Sequence, residues 1–236
     1  NSEVTLHLFD LEAEKTSVVN LEKSYEYIPR IKWTNDPEVL SVQAMNRHQN
    51  NLDLIFVNAE KNTAEVVLNE TDEAYVDVTD NLTFLNDNSF IWTSEKDGWN
   101  HIYHYSKTGK LLDQVTEGNW EVTQYYGFDA KTGRIYFQST ENGSINRDVF
   151  SVRANGKNKV QLTQKRGTND ADFSADFTYF INSYTSAATP YEFTLHKARN
   201  GKKVRAIKDN KALLEKLKPY NFSKKEFSTI EVNGNE

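Results

Sequence analysis

The sequence predicts an all-β chain: a β-propeller fragment of about four to five four-stranded blades, with a short helix near the C-terminus. Three observations carry this. Short polar turns recur between strand-like runs, at Glu12-Ala13-Glu14-Lys15, Asn58-Ala59-Glu60-Lys61-Asn62, Ser106-Lys107-Thr108-Gly109, Ala154-Asn155-Gly156-Lys157 and Ala198-Arg199-Asn200-Gly201. The apolar residues just behind them, Val18, Val66, Leu112, Val160 and Val204, stand 48, 46, 48 and 44 residues apart. Three strand-like runs also end in serine, at Ser94, Ser139 and Ser183. A β-sandwich has regular strands too, but it seldom repeats a whole four-strand unit.

Each repeat divides into four strands. First strands carry an aromatic residue, in Ile31-Lys32-Trp33, Leu82-Thr83-Phe84, Tyr126-Gly127-Phe128 and Asp172-Phe173. Second strands are predicted over 39–42, 89–94, 134–139 and 178–183, and third strands over 52–57, 101–105, 149–153 and 193–197. Several of these runs are almost continuously apolar or aromatic, as expected where both faces pack against neighbouring sheets. Fourth strands follow the polar turns, where Asn155-Gly156 and Asn200-Gly201 supply the positive φ of tight hairpins. Residues 4–10 and 17–20 read as the outer half of a further blade. Both ends of the chain read as cut, so the repeat is an arc of a larger ring.

Past residue 208 the beat changes. Asp209 or Asn210 is placed to cap a helix through Ala212, Leu213, Leu214 and Leu217, which Pro219 ends. Phe227 to Val232 alternates like a strand and runs into Asn233-Gly234, a hairpin signal. The predicted organisation is therefore a partial propeller over residues 1–208 and a helix and strand over 209–236 that lead into another domain.

Composition bounds the chemistry. A net charge of −6 argues against a nucleic-acid partner, because phosphate binding needs a positive stripe. The basic cluster Lys202-Lys203, Arg205 and Lys208 reads as a solvated strand edge. No apolar run approaches the roughly 18 residues of a membrane span, and the opening Asn1-Ser2-Glu3 predicts no signal peptide. With no cysteine there is neither a disulfide nor a thiol nucleophile. No nucleophile elbow, phosphate loop or zinc-protease motif is present. His101 and His104 lie three apart on a strand and point to opposite faces, so they do not chelate one ion together. Asp170, Asp172 and Asp176 lack the glycine pattern of a calcium loop and read as a solvated turn. No cofactor and no metal are expected. Trp92, Trp99 and Trp120 sit at joints where large rings wedge between blades. Glu70, Asp72, Glu73, Asp77 and Asp80 mark the longest linker between blades, and long ordered linkers are where function concentrates.

Two of these joints carry a family likeness. Ser94-Glu95-Lys96-Asp97-Gly98-Trp99-Asn100-His101-Ile102-Tyr103, followed by Glu117-Gly118-Asn119-Trp120-Glu121-Val122, resembles the propeller of the dipeptidyl peptidase IV family, serine exopeptidases of the prolyl oligopeptidase clan. The similarity continues through Thr194-Leu195-His196 and Asp209-Asn210-Lys211-Ala212-Leu213 to Lys224-Lys225-Glu226-Phe227. It implies a parent with an eight-bladed propeller and an α/β-hydrolase domain, which removes dipeptides from peptide N-termini. The paired glutamates that hold the substrate's amino group would lie upstream and the Ser, Asp and His triad downstream, so no catalytic residue is assigned within this chain. The resemblance further implies peptide substrates, a hydrolase domain as intramolecular partner, a homodimeric parent, and export to the periplasm or cell envelope. It places Tyr75, Val76 and Asp77 as substrate-binding, on a loop that approaches the cavity. Here the loop lacks the aromatic-arginine pair that animal members carry. The rival reading is a non-enzymatic propeller that binds a protein or ligand through a loop face.

Overall fold

The structure, a computed structural model, describes residues 4–220, 222–223 and 225–232. It is an arc of five antiparallel sheets in chain order. The first is the two-stranded sheet β1 (His7–Asp10) and β2 (Lys15–Val18). The second holds β3 (Tyr27–Trp33), β4 (Val39–Met45), β5 (Asn51–Asn58) and β6 (Thr63–Thr71). The third holds β7 (Thr83–Phe84), β8 (Phe90–Ser94), β9 (His101–Tyr105) and β10 (Leu111–Gln114). The fourth holds β11 (Val122–Asp129), β12 (Arg134–Ser139), β13 (Asp148–Arg153) and β14 (Val160–Gln161), and the fifth β15 (Thr168–Phe173), β16 (Tyr179–Ser186), β17 (Thr189–Lys197) and β18 (Lys203–Lys208). In each four-stranded sheet every strand pairs with its sequence neighbour, the simple meander of a propeller blade.

The core sits between sheets. Side chains alternate across a strand, so β8 sends Phe90 and Trp92 into a cluster with Met45, Leu52 and Leu54 of the second sheet. Ile91, between them, joins Ile102, Ile135, Phe137 and Phe150 on the other side. β12 repeats this: Ile135 and Phe137 face the third sheet, and Tyr136 packs with Ala171 and Phe180 of the fifth. Val19 and Leu21, past β2, close the series against Leu40, Val42, Ile55 and Val57. Four shared cores thus join five sheets, which is why the middle strands are apolar on both faces.

The repeating turns have a packing role as well. Asn62 Nδ2 donates to the Val18 carbonyl at 3.0 Å, so the turn of the second sheet touches the last strand of the first. Gly109 and Gly201 occupy the corresponding place against Val67 and Leu162. A Cβ on Gly109 would overlap the Val67 carbonyl oxygen, and its φ of 76° already excludes most side chains.

Several expectations shift in detail. β9 and β12 match their predicted limits, whereas β17 starts four residues earlier than 193 and β16 runs three past Ser183, because these two pair as a longer hairpin. The helix α1 (Lys211–Leu217) forms, but Asn210 does not cap it: its backbone is left-handed and its side chain donates to the Tyr191 carbonyl. Asp209 Oδ1 instead accepts from Lys211 N at 3.3 Å. Phe227 to Val232 makes no strand, only an isolated bridge at Val232, since no ladder partner lies alongside it among the described residues. Asn233-Gly234 lies outside the described residues.

Candidate functional site

A cleft of about 620 Å³ opens at the joint of the second and third sheets. One wall is the linker 72–82, which carries the chain from the outer strand β6 to the inner strand β7. Asp72 starts it with a tight turn, Oδ1 accepting from Ala74 N at 2.7 Å and Tyr75 N at 3.2 Å. These two amides stabilise the carboxylate and hold its pKa below the usual value.

The three predicted residues are brought to this cleft and do different things there. Tyr75 is exposed, and its hydroxyl donates to Gln49 Oε1 at 3.2 Å. Val76, 8% exposed, turns into the core with Leu52 and Leu82, and its amide donates to the Gln49 carbonyl at 2.9 Å. It supports the wall more than it offers surface. Asp77 stands at the rim and is exposed.

The opposite wall and floor come from elements that the linker alone does not reveal. Glu70 belongs to β6 and reaches across the joint: Oε1 accepts from Trp92 Nε1 at 3.1 Å and Oε2 from Ser94 Oγ at 2.7 Å. Burial raises its pKa, opposed by these bonds and by the charge of Lys96. Lys96 Nζ donates to Tyr105 Oη at 2.6 Å and lies 3.9 Å from the centroid of the Tyr103 ring. Desolvation lowers the lysine's pKa, and Glu70 and Asp97 pull it back. Glu95 completes the rim, its pKa raised by burial and then by Asp77, Glu121 and Asp72. The cleft therefore has a negative mouth and one cation in its floor. The motif Ser94-Glu95-Lys96 was visible in the sequence; what was missing is that β8 aims it at the linker.

The remaining candidates are structural. His101 is fully buried. The Gly118 carbonyl accepts from its Nε2 at 3.0 Å, so Nδ1 is the acceptor, 3.1 Å from the Thr116 hydroxyl. His104 Nε2 bonds Ser89 Oγ at 2.9 Å. Trp92 is buried, and Trp120 stacks on Phe137 with centroids 6.4 Å apart. Trp99 departs from expectation: it follows Gly98, which has a positive φ of 96°, and its side chain is exposed instead of wedged. Asp170 and Asp172 lie in β15 and not in a turn, with Asp170 Oδ1 accepting from Tyr126 Oη at 2.7 Å. Asp176 does sit in the turn, where hydrogen bonds from Thr178 and then Ser174 bring its pKa down to about 2. Among the described residues no group of three His, Asp or Glu side chains could hold a metal ion, and no helix is long and apolar enough to cross a membrane.

Residues 1–191 match the family model described as the dipeptidyl peptidase IV N-terminal region. The crystal structure of Porphyromonas gingivalis dipeptidyl peptidase 4 superposes with a TM-score of 0.91 at 38% identity, covering 100% of this chain and 34% of that one. Dipeptidyl peptidase 4 of Arthroderma otae is 30% identical over 249 residues, and that of Trichophyton rubrum 28%, each covering 100% of this chain and 32% of the relative. The chain thus spans about a third of the length of the relatives it matches.

Proposed function

Because the chain belongs to the dipeptidyl peptidase IV family, as part of its N-terminal propeller region, we propose that it shapes and gates the route by which peptides reach a catalytic serine carried elsewhere in the parent protein. On this reading residues 1–208 are the blade arc, and residues 209–236 lead into an α/β-hydrolase domain. The observation that carries it is the cleft of about 620 Å³ beside the linker 72–82, at the joint of the second and third sheets. Restricted access is a selection device: a short or unstructured peptide enters, whereas a folded protein does not.

Tyr75, with its exposed ring on the linker, packs on substrate side chains, and Asp77 faces them across the rim. In the full-length protein Tyr75→Ala raises KM for peptides, with kcat affected less. Unchanged kinetics across several peptide lengths would remove Tyr75 from the route. The broader reading is tested with a proline-containing dipeptide chromogen: the full-length protein turns it over and residues 1–236 alone do not. Robust turnover by the fragment, or none by the whole, overturns it. An exported protein of the periplasm or cell envelope is the matching location, checked by cell fractionation.

A further inference from the structure

We propose that Tyr105 and Lys96 form a donor pair in the floor of the cleft that takes a backbone carbonyl of a bound peptide with neutral or basic side chains. This rests on the reading of the cleft as part of a peptide route.

Tyr105 is 3% exposed and lines the cleft. Its ring is held by stacking on Phe90, with centroids 5.3 Å apart and planes at 14°. Lys96 has no lone pair, so in the 2.6 Å contact the ammonium donates and Tyr105 Oη accepts. The hydroxyl's own hydrogen is then left without an acceptor among the described residues. A buried donor in that condition is destabilising unless something fills it. Lys96 keeps further N–H groups of its own. It leans on the Tyr103 ring and forms no ion pair among the described residues; Glu70, its near charge, has both oxygens engaged by Trp92 and Ser94. Two donors therefore converge from β9 and from the residues after β8.

The surroundings choose the acceptor. Asp72, Asp77 and Glu95 line the mouth and Glu70 the floor, so a carboxylate or phosphate is repelled on entry. An uncharged oxygen is not. The amide carbonyl is the strongest such acceptor that an extended peptide presents at every residue. The same carboxylates favour a peptide that brings a lysine or arginine to the rim.

The test uses the full-length protein treated with a fluorophosphonate, so that a catalytic serine is blocked and bound peptide persists. A pentapeptide with proline second and lysine fourth is titrated by calorimetry. Tyr105→Phe keeps the ring and removes the donor, and it weakens binding by roughly three- to tenfold. Tyr179→Phe, an exposed position on β16 away from the cleft, leaves the affinity unchanged. Lys96→Met also weakens binding, and the double variant loses less than the sum because one acceptor is shared. Replacing the peptide's lysine with glutamate lowers affinity further. A single cooperative unfolding transition for each variant confirms an intact fold. If Tyr105→Phe binds like the parent, or the parent binds no peptide, the inference is wrong. If the protein does not react with fluorophosphonate yet Tyr105→Phe still weakens binding, the donor pair stands and the peptidase reading falls.

Discussion

The joint between the second and third sheets and the joint between the third and fourth are built from the same parts and end differently. Each receives apolar side chains from the middle strands of both neighbours. Each of the sheets that meet there has a polar latch, where a residue pairing near the end of the second strand bonds a residue near or just past the end of the fourth. In the second sheet Asp53 pairs with Ala44 and accepts from Asn69 Nδ2 at 2.6 Å. In the third His101 pairs with Ser94 and bonds Thr116, and in the fourth Asp148 pairs with Ser139 and bonds Thr163. The difference lies in the connection. Residues 115–121 cross to the fourth sheet in a short path, and Trp120 fills the gap, edge-on to His101 at 4.9 Å and stacked on Phe137. Residues 72–82 take a longer path, and the tryptophan at that joint, Trp92, comes from within β8 and lies under the cleft floor. A repeat can be kept intact in its core and made open or closed by one linker.

The largest test of that contrast is Trp92→Ala. The side chain is 1% exposed, so its loss should destabilise the chain by about 3–5 kcal/mol. Trp120→Ala, at a half-buried position, should cost clearly less in the same denaturant titration. Equal losses would mean that Trp120 is as much a core residue as Trp92, and not a plug laid over the third joint.

Next in size is Gly109→Ala. The new Cβ meets backbone of the neighbouring sheet and the φ is left-handed, so roughly 2 kcal/mol or more should be lost. Gly133→Ala is the control, with a left-handed φ of 65° but open space around it, and about 1 kcal/mol is expected there. A similar loss for both would show that the turns do not bear on the adjoining sheet.

The smallest effect is one of pH. The Glu70 carboxyl is raised above its ordinary 4.5 by burial. A raised acid contributes its full stability below the unfolded pKa and loses it as the pH climbs through the folded value. The parent should therefore lose stability as the pH rises above the ordinary carboxylate value, relative to Glu70→Gln, which has no such proton. Parallel melting-temperature profiles for the two would contradict this.

These residues also show where sequence reasoning reached its limit. Local periodicity located β9 and β12 to the residue, because an apolar run bounded by Gly-containing turns leaves little freedom. The linker 72–82 stood out by its length and charge. Glu70 read as part of that linker, however, and is a residue of β6, since the β5 partner at Leu52 extends the ladder past it. The cleft joins this strand, the turn after β8 and β9. Which of those stand side by side is set by the packing of two sheets, a distance that no spacing along the chain records. Trp99 is exposed where a wedged ring was expected, an orientation that its residue type and place in the chain do not record.

Cores placed between sheets make this arc behave like a row of bricks whose mortar carries all the adhesion. A sheet standing alone has two faces and no interior, so two neighbours are the smallest piece with a reason to stay folded. Damage at one joint strips a face from both sheets it served and passes down the row instead of staying local. Hydrogen exchange should then rank strands by the number of intact neighbours on either side, with β8 and β12 slowest and β1 and β18 fastest.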